Sequence, residues 1–133
     1  MWAAVVLFAA QGTLASNGDI RGQWVNERSS AIVRIADCPS GLCGTIVWST
    51  PLAQRDAGRG GNSALNGTDV MFGFVAASER MWRGRLFVPD LNRTVTATIE
   101  LQDNGMLKVK GCELGGLLCK SQRWRQWGTE RGR

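Results

Sequence analysis

The sequence predicts an all-β fold, an eight-stranded antiparallel meander closed into a small barrel, on three observations. Apolar and polar residues alternate with a period of two wherever a pattern is visible. Candidate strands start at intervals of roughly 10 to 14 residues, with short polar links that leave no room for the crossover helices of a parallel sheet. Seventeen Gly against three Pro, in 133 residues of which 44% are hydrophobic and 20% charged, fit one turn-rich globular domain. Closing the meander, rather than stacking it as a sandwich, removes exposed sheet edges.

The chain opens on an uncharged apolar run, Trp2 to Ala10, followed by the small residues Gly12, Thr13 and Ala15. The run is too short for the roughly 20 residues of a membrane-spanning helix. Thr13-Leu14-Ala15 is an acceptable cleavage box before Ser16, so residues 1–15 are expected to be a signal peptide and residues 16–133 one barrel domain. The first strand is expected at Gly22–Glu27, with Trp24 inward. The second and third, Ala31–Ala36 and Cys43–Trp48, turn Val33, Ile35, Ile46 and Trp48 to the interior. One long link, Ser49 to Thr68, reads as a Gly, Ser and Asn-rich loop. Strands at Asp69–Val75 and Arg80–Val88 add Phe72, Phe74, Trp82 and Leu86 to the interior. Arg93–Leu101 gives the clearest alternation, Val95, Ala97, Ile99 and Leu101 against Thr94, Thr96, Thr98 and Glu100. Turn residues bracket it, Pro89 to Asn92 before and Gln102 to Gly105 after, and Met106–Cys112 completes a hairpin with Leu107 and Val109 inward. Lys120–Trp127 is the last strand, bringing Trp124 inward.

The absence of His removes the Ser-His-Asp and Cys-His nucleophile pairs, the two-histidine zinc helix and imidazole acid–base chemistry. Tyr is absent as well. The four cysteines form two close pairs, Cys38 with Cys43 and Cys112 with Cys119, and an even count fits export. Four cysteines permit three connectivities; the expectation is local pairing. A four-thiolate zinc site is the alternative, which this spacing fits poorly. No metal and no cofactor are expected. In a closed meander the outermost strands are neighbours, so the Arg125 guanidinium is expected to lie on the Trp24 indole and seal one end.

At these residues a resemblance becomes visible. Gly22-Gln23-Trp24 with a late Arg resembles the calycin superfamily of lipocalin-like barrels. Val33-Arg34-Ile35 before Cys38, Leu42-Cys43-Gly44-Thr45-Ile46-Val47 and Trp82-Arg83-Gly84 before Pro89 resemble the exported bacterial family known as domain of unknown function 2147. Asp56, Asn62, Gly67, Gly111-Cys112, Ser121 and Trp124-Arg125 agree with its pattern in order and spacing. Asn92 stands where the family carries a turn Gly, and Asn tolerates the left-handed conformation such a position needs. The resemblance covers nearly the whole of residues 16–133. It implies a periplasmic or secreted lipocalin-like barrel and, by extension, a small apolar ligand.

The reading is therefore an exported, non-enzymatic barrel binding a small apolar or lipid-like ligand in its interior. Trp48, Phe72, Phe74, Trp82, Leu86, Val95 and Ala97 are its expected lining. A second reading is a surface or polyanion binder without a cavity. The net charge of +5 favours anionic partners, and Lys120, Arg123, Arg125, Arg131 and Arg133 interleave with Trp124 and Trp127, while Arg80, Arg83 and Arg85 recur on another strand. Outside the cytoplasm the anions would be lipid headgroups or lipopolysaccharide rather than nucleic acid. A third reading, a carboxylate-based hydrolase, would draw on Asp56 with Asp69 or Asp90.

Overall fold

The structure is a computed structural model, and it describes residues 18–128. The expected signal peptide, with Arg131 and Arg133, lies outside the described residues. Eight strands run as β1 Gly22–Val25, β2 Ala31–Cys38, β3 Gly41–Ser49, β4 Asp69–Ser78, β5 Met81–Val88, β6 Arg93–Leu101, β7 Leu107–Glu113 and β8 Leu118–Gln126. Each pairs antiparallel with the next, and β8 returns to β1, closing the barrel. The alternation that predicted β6 is realised: Val95, Ala97 and Ile99 are buried between exposed or half-buried threonines. Tight turns connect the strands where the residues permit them. Asn92 takes φ 50° between β5 and β6, the left-handed conformation that suits Asn where most residues would be strained.

The antiparallel order sorts the connections to two ends. At the lower end lie the entering segment Gly18–Arg21 and the turns at residues 39–40, 79–80 and 102–106. The upper end carries the turns at residues 26–30, 89–92 and 114–117 and the long link 50–68.

That link holds the main departure from the sequence reading, because half of it is a helix, α1, Pro51–Arg59. Its start was encoded locally. The Thr50 hydroxyl accepts the Ala53 N–H at 3.1 Å, and Pro51 follows at the first helical position, where its fixed φ and missing donor do no harm. Ala57 is the residue of the helix that is fully buried. The link then returns along the β5–β6 turn, where the Asn62 side-chain amide donates to the Pro89 carbonyl at 2.9 Å.

Closure rests on few residues. Trp24 pairs with Gln126 and Val25 with Arg125, and the Trp127 N–H donates to the Gln23 carbonyl at 2.9 Å. Beyond the end of β1 the Glu27 carboxylate accepts the Arg123 N–H at 2.8 Å, substituting for a strand partner. Both cysteine pairs are local disulfides, Cys38–Cys43 and Cys112–Cys119, the latter joining residues directly opposite in the β7–β8 ladder.

The interior is filled by large side chains seated on glycines. Trp24, Phe74, Ile20, Ile35, Met71, Ile99 and Leu107 are its largest fully buried members. A Cβ at Gly84 would stand 2.6 Å from the Phe74 ring and 2.9 Å from the Phe72 carbonyl oxygen, and one at Gly44 would stand 2.6 Å from the Met71 sulfur. Gly84→Ala is therefore expected to lower the unfolding free energy by about 1–3 kcal/mol. Gly58→Ala, in α1 with no heavy atom within 4 Å of the new Cβ, is expected to raise it by roughly 0.5–1 kcal/mol. Urea unfolding followed by far-ultraviolet circular dichroism checks both signs.

Candidate functional site

Five of the seven expected lining residues come together on one inner wall. Leu86 stands opposite Val95, Gly84 opposite Ala97, and Trp82 opposite Ile99, while Phe74 from β4 lies across Gly84. Trp48 and Phe72 do not join them. Trp48 is 45% exposed and Phe72 40% exposed, both on the outside of the barrel. Strict alternation fails at two irregularities. In β3, Ile46 pairs with Val33 but Trp48 pairs with Ile32, so Val47 is an extra residue that turns Trp48 outward. In β4, the register shifts between Phe72 and Val75 around Gly73, whose φ of 60° glycine holds without strain, so only Phe74 of the two phenylalanines turns in.

The closing pair is also rearranged. Arg125 stands opposite Val25, so its side chain leaves the sheet on the outer face, while Trp24 points inward and is 1% exposed. The Arg125 guanidinium donates to the Ser29 hydroxyl at 2.9 Å, and the Trp24 indole N–H donates to the Ile20 carbonyl at 2.9 Å. The lower end is thus sealed by Ile20 and by the two inward tryptophans Trp24 and Trp124.

Beside that seal a groove of about 350 Å³ opens to solvent at the lower end. Leu42, Phe74, Trp82 and Ile20 contribute buried apolar surface, with Val75 and Ala76 at the margin. Its rim is charged. Arg21 donates to Asp19 at 2.9 Å and to Asp37 at 3.0 Å, leaving two carboxylates on one guanidinium. The hydrogen bond to Asp37, then the charges of Asp19 and Asp37, hold Arg21 protonated above its ordinary range. Asp37 continues the inward series Val33, Ile35 along β2, which is the signal by which it could have been found. Asp19 and Arg21 precede the first strand and carry no such pattern. A second hollow, of about 320 Å³, lies over Phe72 and the Cys38–Cys43 disulfide on β2–β4.

Two of the three carboxylates considered for catalysis have separate structural partners. Asp56 forms an ion pair with Arg59 in α1 at 2.6 Å, Asp69 accepts from the Thr45 hydroxyl at 2.9 Å, and Asp90 is exposed in the β5–β6 turn. The basic residues regroup. The register places Arg83, Arg85, Lys108, Lys110, Arg123 and Arg125 on the outer face of β5–β8. Lys120 stands opposite Gly111 on the other face, and Arg80 instead donates to the Leu101 and Gln102 carbonyls at 3.0 and 3.1 Å.

The family model described as "Uncharacterized protein conserved in bacteria (DUF2147)" matches residues 22–126. No curated protein matches the chain significantly. Among solved structures, protein HP1028 from Helicobacter pylori, described as belonging to the lipocalin family, superposes with a TM-score of 0.66. The match covers 85% of this chain and 86% of that one at 12% sequence identity, a likeness of fold.

If the seal depends on the indole bond, Trp24→Phe should cost about 1–3 kcal/mol by removing the donor to a buried carbonyl. Arg125→Ala, at an exposed site, should cost less than about 1 kcal/mol. Thermal and urea denaturation of the two variants give the comparison.

Proposed function

The chain belongs to the bacterial DUF2147 family, whose model it matches over residues 22–126, and on that premise we propose that it is a small-molecule-binding protein of lipocalin-like form. The ligand occupies the lower mouth of the barrel. The observation that carries this reading is the groove of about 350 Å³, within the size range of small-ligand pockets, set in a barrel whose interior is otherwise packed. Phe74, Trp82 and Leu42 take an apolar body. The Asp19–Arg21–Asp37 rim, with two carboxylates to one cation, takes a head that donates hydrogen bonds. Binding rather than catalysis also accords with the fold of the lipocalin-family neighbour.

The expected apolar lining of a deep cavity is accordingly narrowed to its lower edge. Leu86, Val95 and Ala97 sit further up the same wall, where Gly111 leaves the Val95 methyl room to pack. Met71, fully buried and unbranched, is the side chain best able to move if a longer ligand reaches inward. The reading includes export to the periplasm or beyond, supported by two disulfides, which persist in oxidising compartments, and by the apolar leader run.

Organic extraction of the purified protein followed by mass spectrometry is expected to yield a stoichiometric amphiphile. An apolar fluorescent probe, anilinonaphthalene sulfonate, should bind and be displaced by the extract. Ala76→Trp, which fills the groove from an exposed position, should abolish both without lowering stability. An empty extract and probe binding indifferent to Ala76→Trp argue against the site. Export is checked separately by terminal sequencing of the protein from an envelope fraction, with Ser16 as the expected first residue.

A further inference from the structure

The register sets the outward cations of three strands in a line. Arg83 on β5 and Lys110 on β7 stand in one cross-strand row, joined through Thr98 of β6, and Lys108 stands directly opposite Arg123 of β8. Followed from Arg85 through Arg83, Lys110, Lys108 and Arg123 to Arg125, the charges alternate a step down one strand with a crossing to the next basic strand. Successive members lie about 5–10 Å apart, from about 7 Å between alternate residues of a strand and about 5 Å between neighbouring strands. The result is a file one charge wide rather than a round patch. Beyond Arg125 it passes Gln23 of β1 to reach Arg34 of β2, and it ends where Thr45, opposite Arg34, holds Asp69.

These charges have no carboxylate of their own. None of the seven forms an ion pair among the described residues, whereas Arg21, Arg59 and Arg93, away from the file, each hold one. The acidic residues beside it are Glu100, opposite Lys108, and Glu27, whose carboxylate accepts the Arg123 backbone N–H. Every member except the half-buried Lys108 is exposed. A row of like charges repels itself, and a matching row of anions relieves that repulsion.

The path selects the kind of anion. It runs from β5 through β8 and β1 to β2, more than half of the way round an eight-strand barrel, on a convex surface. A planar bilayer or a stiff duplex touches one side of such a girdle and leaves the rest of its charge in water. A flexible single chain follows it. Single-stranded nucleic acid is flexible enough, but its bases need aromatic platforms among the cations. Here Thr96, Thr98 and Ser121 lie among them, and the exposed rings of Phe72 and Trp127 stand beside Arg85 and Gln23, toward the two ends. Hydroxyls beside cations match a polymer that carries both hydroxyl and oxyanion groups.

We propose that this girdle, from Arg85 round to Arg34, binds a linear acidic polysaccharide, with the oxyanions on the guanidinium and ammonium groups and the sugar hydroxyls on the threonines and serine among them. It shares no residue with the groove at the lower mouth, so either reading can fail without the other.

The test is calorimetric titration of the intact chain with oligogalacturonates of graded length. Expected is an affinity that rises with length until the oligomer spans about 35 Å, the contour from Arg85 to Arg125. It should fall about tenfold or more between roughly 0.05 M and 0.2 M salt. Arg83→Glu with Lys110→Glu, both exposed in the middle of the file, should weaken binding about tenfold or more with the melting temperature unchanged. The neutral pair Arg83→Gln with Lys110→Gln should weaken it less, in the same direction. Arg28→Glu with Arg55→Glu makes the same change of net charge at exposed positions off the file, and should alter affinity less than about twofold. No binding at the lower salt, affinity independent of length, or equal loss in the two glutamate pairs would each overturn the assignment. Tighter binding of an oligodeoxythymidylate of equal charge, or of anionic vesicles, would overturn it in favour of nucleic acid or a membrane.

Discussion

The whole architecture depends on a strand of four residues. Only Gly22–Val25 separates β2 from β8, and it must hydrogen-bond both while sending Trp24 to the bottom of the core. Two register pairs to β8 are a slender join, given about 1 kcal/mol of net stabilisation per backbone hydrogen bond. What makes it sufficient is the clustering of other groups on the same seam. The Glu27 carboxylate extends the ladder, the Ser29 hydroxyl holds Arg125, and the Trp24 indole ties the entering segment across the barrel floor. Loss of this seam would unroll the sheet and expose the tryptophans that seal it.

Closure with few residues also limits the interior. An eight-stranded barrel has room for either a ligand or a full set of side chains, and this chain has chosen the second over most of its height. Glycines at 44, 84 and 111 on alternating strands do not leave holes; Met71, Phe74 and Val95 occupy the space. Binding capacity is therefore displaced to the lower mouth, where the entering segment lies across the opening and brings charge beside aromatic surface. The disulfides belong to the same logic, each bracing a hairpin at one end rather than linking sheet to sheet.

The strands, their antiparallel order, closure and the local cysteine pairing were legible because they rest on alternation and spacing, which are properties of contiguous sequence. The misplaced residues are those where alternation is interrupted. Val47 and Gly73 each shift the phase by one residue, and nothing in Val47 itself marks an extra residue in a strand. Gly73 was a visible cue, since an isolated glycine in a strand often marks such an irregularity. The helix was announced by Thr50-Pro51, a capping residue before the residue type suited to a first turn, and was obscured by the glycines that follow. Asp37 alone could have been found from the alternation of β2, but its grouping with Asp19 and Arg21 was out of reach, because the three meet only once the entering segment crosses the end of β2.

The brevity of β1 has a consequence on the other side of the seam. Among the described residues, β8 has no strand partner on that side from Leu118 to Gln122, so half of an otherwise closed cylinder ends in open backbone donors and acceptors. Such a margin invites another polypeptide to add itself and start a chain of copies. Lys120 lies midway along it, on the same face as Gly111 opposite and exposed, so this edge carries a charge. A charge on an open strand edge is one of the features that keep such edges from pairing with further chains.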